Sequence, residues 1–165
     1  MRIWHFTNIL TLVINIAGWF ILHMLVAFGA TMLPRGLFHQ KQWLYRVRSW
    51  EKDGSIYKRL FKVTRWKGLL PDGAAWFRGG FAKKKVRATD PEYLDLFVKE
   101  TCRGELAHWI VIVLSPLFFL WNRRDVGFFM IVYALAANLP CIIVQRYNRP
   151  HLLQILARKR KRNRY

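Results

Sequence analysis

Acidic residues are the scarcest part of this 165-residue chain: nine Asp and Glu stand against 28 Lys and Arg, for a formal net charge of +19. Few carboxylates are therefore on hand for metal work. One Glu-x-x-His pair, Glu105 and His108, is present, whereas carboxylate metal bundles need a second, so no metal site is expected. Cysteine is nearly as rare. Cys102 and Cys141 form no metal-ligand spacing and are read as reduced thiols in structural roles. No Gly-x-Ser-x-Gly nucleophile elbow and no evident Ser-His-Asp set is found. Internal repeats are missing, and the only low-complexity run is the basic cluster at 158–162. A chain of this length has room for one domain, 1–165, and for no large soluble core.

What the chain does have is length without charge. Residues 9–33, 106–121 and 126–144 contain no Lys, Arg, Asp or Glu. The first run is about 37 Å long as a helix, against a hydrocarbon core of about 30 Å. The third just spans; the second, with Pro116 inside it, is marginal alone. The first run exceeds the ~7–15 apolar residues of a signal peptide and is read as an anchor. The expected fold class is an all-α integral membrane protein. It has an N-terminal transmembrane helix, an amphipathic basic cytoplasmic loop and a C-terminal transmembrane helical hairpin. The spans fall at about 9–33, 105–121 and 126–145, the interfacial loop at 34–104 and a basic cytoplasmic tail at 146–165.

Charge placement sets the expected topology. Of the 28 basic residues, 17 lie in the loop and 8 follow Val144. The positive-inside bias puts both blocks in the cytoplasm and the N-terminus outside. In the loop, Trp43, Tyr45, Trp50, Tyr57, Phe61, Trp66, Trp76, Phe77 and Phe81 alternate with Lys and Arg. That mixture suits a headgroup layer rich in anionic lipid. The spacing predicts a short helix over 55–62 after a turn at Gly54, and another turn at Pro71, Asp72 and Gly73. Thr89, Asp90, Pro91 and Glu92 read as a helix start with a capping box and Pro in the first turn. Pro150 is expected to stop or bend the last helix.

Polar groups inside apolar runs are costly unless paired. Thr101, Glu105, His108 and Ser115 share one helical stripe; Asn138, Cys141 and Gln145 share another; Asn15, Trp19 and His23 a third. Together they predict a small bundle with one polar seam opening to the cytoplasm. Glu105 and His108, at i and i+3, are side by side; a carboxylate can orient an imidazole and raise its basicity for general-base work. An ordinary interfacial ion pair explains the same spacing. Arg146 and Arg149, one turn apart and beside Gln145 and Asn148, can grip a phosphate or carboxylate, or simply anchor the helix to anionic lipid.

The run I-I-V-Q-R-Y-N-R-P at 142–150 resembles the C-terminal signature of bacterial glycosyl-4,4'-diaponeurosporenoate acyltransferases, membrane enzymes of staphyloxanthin-type carotenoid synthesis. Three further blocks are similar in the same order: E-K-D-G at 51–54, R-W-K at 65–67 with Asp72 and Gly73, and E-T-x-R-x-E-L-x-H-W at 100–109. The segment 74–86 has no counterpart in that likeness. The resemblance implies a bacterial cell-membrane enzyme performing the last step. It would esterify a fatty acyl group onto the sugar hydroxyl of a glycosylated C30 carotenoid acid. The donor would be acyl-CoA or another acyl thioester, with no cofactor. Such chemistry needs a base, an oxyanion donor and cations for the donor's anionic part. His108 is the expected base, Glu105 its orienter and Asn138 the oxyanion donor. Arg146, Arg149, Gln145, Asn148, Arg65 and Lys67 are the expected substrate-binding residues. Besides substrate and donor, expected partners are anionic lipids and other carotenoid-pathway enzymes, and not nucleic acid. The competing reading is a non-enzymatic membrane module that binds anionic lipid or docks a partner enzyme.

Overall fold

A computed structural model describes residues 8–70 and 90–162. Among the described residues the chain is helical, without strands, and three helices are long and apolar enough to cross a membrane. Helix α1 is Asn8–Met32; the short helices α2, Ser55–Phe61, and α3, Val63–Trp66, belong to the basic loop; α4 is Pro91–Leu114 and α5 is Arg124–Arg162. Among the described residues, 3-10 turns at Arg35–Leu37, Ser49–Gly54, Lys67–Leu69 and Ser115–Leu120 join or extend them. Pro71, Asp72, Gly73, Trp76, Phe77, Phe81 and Thr89 lie outside the described residues.

Helix α1 is apolar on nearly every side, with Ile9, Leu12, Ile16, Phe20, Leu25 and Phe28 exposed, as lipid-facing positions should be. It buries little more than Asn15, Trp19 and Ala30. Trp19 stacks on Phe118 with ring centroids 4.4 Å apart and donates through Nε1 to the Met130 sulfur at 3.1 Å. These residues, with Val111 and Ala134, make the apolar cluster that joins all three long helices.

Pro91 opens α4 at its first turn, after Asp90, because its missing N–H has no helical partner there in any case. Asp90 makes no side-chain cap bond, and Thr89, from which a capping box would reach Glu92, lies outside the described residues. No proline interrupts α4 before Ser115 and Pro116, where the backbone tightens to a 3-10 turn through Leu120. At ~1.5 Å per α-helical residue and ~2.0 Å per 3-10 residue, this leg covers about 27 Å beyond Gly104, close to the third run. The hairpin returns at Asn122. Gly127 is needed just after the turn, since a Cβ there would sit 2.4 Å from the Phe119 ring.

Helix α5 corrects the sequence reading. It contains Pro140 and Pro150 and passes both without ending, so Pro150 does not stop the chain, and residues 146–162 of the segment expected as a tail continue a 39-residue helix. Proline costs one backbone bond and a clash with the preceding turn, but packing on both sides of Pro150 outweighs that. Arg149 is anchored before it, and Leu152 and Leu156 pack on Leu94, Phe97 and Val98 of α4 after it. At the basic end α4 and α5 thus stay packed together.

The loop docks on this pair rather than lying wholly flat. Phe38, Tyr45 and Tyr57 are buried, whereas Trp43, Trp50, Leu60 and Leu69 are exposed. Lys52, Asp53 and Gly54 form a run of positive φ, with Gly54 at 86°. A Cβ on Gly54 would lie 3.1 Å from the Tyr147 carbonyl and 3.1 Å from Pro150 Cγ. Glycine is required there by both backbone conformation and close approach.

Candidate active site

The blocks singled out in the sequence meet in one buried ion network. Glu105, fully buried on α4, accepts from Arg146 Nε at 2.8 Å and from Arg149 Nη2 at 2.6 Å. Arg146 Nη1 bridges to Glu51 at 2.8 Å, and its Nη2 donates to the Leu44 carbonyl. Arg149 donates to Thr101 Oγ1 at 3.0 Å, the Thr101 carbonyl at 3.1 Å and the Tyr45 carbonyl at 2.7 Å. Tyr57 donates to the second Glu51 oxygen at 3.0 Å. Burial first, and then the Glu51 carboxylate beside it, pushes the Tyr57 hydroxyl above its usual range. Two carboxylates and two guanidiniums balance in charge, so the cost of desolvating each is offset by close, fully used partners.

That network gives Glu105, Arg146 and Arg149 duties other than those the sequence suggested. Glu105 was expected to orient His108; its two oxygens instead serve the two arginines. Arg149 is 1% exposed, and each of its nitrogens has a protein acceptor. Arg146 is similarly committed. The reason is partners from other elements, Glu51 above all, which helical spacing on α4 and α5 cannot reveal.

His108 lies three residues further into the apolar run, about 4.5 Å along α4. Its Nδ1 is 2.8 Å from Asn138 Oδ1 on α5. Asn138 Nδ2 donates to the Ala134 carbonyl at 2.9 Å, which fixes the amide orientation and presents the oxygen to the ring. Nδ1 must then carry the proton, and in the neutral imidazole the basic lone pair is on Nε2. Asn138 is 1% exposed and spends its oxygen on His108. Asn138 thus takes the place beside the imidazole that the spacing gave to Glu105.

The remaining predicted residues scatter. Gln145 is buried and Asn148 half-buried on α5. Arg65 is exposed on α3, and Lys67 places its Nζ 4.9 Å from the Tyr147 ring centroid. The single polar seam is also corrected. Asn15, Trp121 and Asn122 form a closed set at the hairpin turn, with bonds of 2.7 to 2.9 Å. The apolar Trp19, Val111 and Phe118 cluster separates it from His108. Glu51, Tyr45 and Tyr57 were missed as site-forming residues; Glu51 could have been found from the E-K-D-G block, where a rare acid precedes a turn.

The sequence model of glycosyl-4,4'-diaponeurosporenoate acyltransferases matches residues 41–158, a span holding the whole network and the His108–Asn138 pair. The chain belongs to that family. Relatives named glycosyl-4,4'-diaponeurosporenoate acyltransferase include those of Staphylococcus aureus strains bovine RF122 / ET3-1 and MRSA252. Each is 36% identical over 138 residues, 84% of this chain and 83% of the relative. The relative from strain N315 is 35% identical over the same shares. No solved structure matches. This member of the acyltransferase family is accordingly a membrane enzyme that transfers an acyl group. Among the described residues no group of His, Cys, Asp and Glu is arranged to hold a metal ion.

Proposed function

We propose that this acyltransferase esterifies a sugar hydroxyl of a glycosylated C30 carotenoid acid with a fatty acyl group from a thioester, the closing step of a staphyloxanthin-like pigment. In this reading the basic end faces the cytoplasm, the N-terminus lies outside, and anionic lipids surround the loop. The observation that carries the site assignment is the His108–Asn138 pair, whose tautomer leaves Nε2 basic at the depth where an interfacial sugar is presented. The hydroxyl oxygen attacks the thioester carbonyl while Nε2 takes its proton. The carbon–sulfur bond then breaks, and the thiolate leaves with the proton returned from His108. The acyl chain and polyene stay in lipid throughout.

In the same reading the Glu51, Arg146, Glu105 and Arg149 network holds α4, α5 and the loop in register above His108, as positioning residues. Arg65 and Lys67, outside that network, are the cations left for the donor's anionic part. The test is reconstitution in nanodiscs with an acyl thioester and a glycosylated carotenoid acid, followed by mass spectrometry of extracted lipid. Acylated pigment is expected. Its absence with every thioester supplied, at matched folding, would contradict the assignment.

A further inference from the structure

Five consecutive basic residues, Arg158, Lys159, Arg160, Lys161 and Arg162, occupy the tip of α5. Because the helix runs through Pro150, their height above the bilayer can be read from the helix itself. Arg158 lies 14 residues past Val144, about 21 Å along the axis, or about 20 Å at an average tilt of ~20°. The headgroup layer accounts for ~5–8 Å of that, and a further Debye length for ~8 Å. The tip therefore stands beyond the reach of lipid phosphates. It is rigid there, since Leu152 and Leu156 are packed on α4 and Arg160 Nη2 meets Asp95 at 3.4 Å.

Among the described residues that is the one ion pair formed by these five cations. The helix C-terminus favours one or two positive charges, but five within a turn and a half repel one another. The positive-inside bias is already met by the 17 basic residues of the loop. What remains is a rigid, outward-facing cationic knob on an enzyme that consumes an acyl donor.

We propose that residues 158–162 dock a small acidic carrier protein that delivers the acyl chain as a protein-bound thioester. This rests on the proposed acyl transfer and names the class of its donor. Charge complementarity favours such a carrier over a free thioester, which needs no binding surface about 30 Å along α5 from Asn138. The two α-helical stems would carry the carrier's acyl arm toward the interface along their length.

The experiment uses the full chain in nanodiscs of neutral phosphatidylcholine. It compares fatty acyl carrier protein with acyl-CoA of the same chain length. Lys161→Glu with Arg162→Glu spares the Arg160 contact. The expected result is a KM for the carrier-bound donor raised about tenfold, with kcat and acyl-CoA kinetics unchanged. A salt titration of the unaltered enzyme gives a second readout that needs no variant: its KM for the carrier should climb steeply over about 0.05–0.3 M NaCl. Equal KM in variant and parent, or an equal change for both donors, overturns the docking site. So does a variant whose only defect is weaker flotation on anionic vesicles, which would make the cluster a lipid anchor. Transfer from acyl-CoA without any from the carrier sinks the docking proposal and leaves the transfer reading standing. Transfer from neither donor sinks both.

Discussion

Glu105 holds two guanidiniums on one carboxylate, and its neighbour His108 is oriented by an amide from another helix. The two residues therefore should fail in different ways. Glu105→Gln leaves Arg146 with Glu51 as its one carboxylate partner and Arg149 with none, and should cost about 3–5 kcal/mol, seen as a lowered unfolding midpoint in detergent. An unchanged midpoint would mean the network is not structural. Asn138 separates orienting from oxyanion roles: Asn138→Asp still accepts from Nδ1 and should retain more activity than Asn138→Ala, which should fall by about 10². If the aspartate is the worse of the two, Asn138 acts as a donor. Tyr57 supplies the pH test. Its folded pKa is raised above the ~10 of the unfolded chain. Its contribution is thus fully present below about pH 10 and is lost as pH rises through the folded value. Thermal melts should show that alkaline loss in the parent, and Tyr57→Phe should lack the step.

At the scale of elements, α1, α4 and α5 were legible because apolar runs of bilayer length have few other uses. The start of α4 at Pro91 was also legible, from local backbone chemistry. Pro150 misled because a local rule was asked about a position that packing decides: Arg149 and Leu152 hold the helix on either side. The site was half legible. Which residues are polar within the membrane runs could be read, but not who pairs with whom. Glu51 is 54 positions from Glu105, and no periodicity links them. Gly54 joins the loop to α5, and Gly54→Ala should cost about 1–3 kcal/mol from its positive φ and the contact with the Tyr147 carbonyl. Melting curves at matched detergent would show it; a neutral result would mean the loop is not clamped to α5.

Among the described residues, the molecule joins three membrane-length helices, with an ionic clasp at its basic end and an amide clasp at its hairpin turn. The histidine–asparagine pair lies between them. If the basic end is cytoplasmic, single cysteines placed at Lys58 and Arg162 should be shielded from an impermeant thiol reagent in intact cells. One placed at Arg123 should react. The reverse pattern would invert the topology and move the docking knob outside. The central claim is that His108 activates the acceptor hydroxyl, and its most direct measurement is the single-turnover rate of acyl transfer by purified His108→Ala in nanodiscs. A loss of about 10²–10⁴ with an unchanged melting temperature is the predicted result. Transfer at close to the parent rate would contradict it.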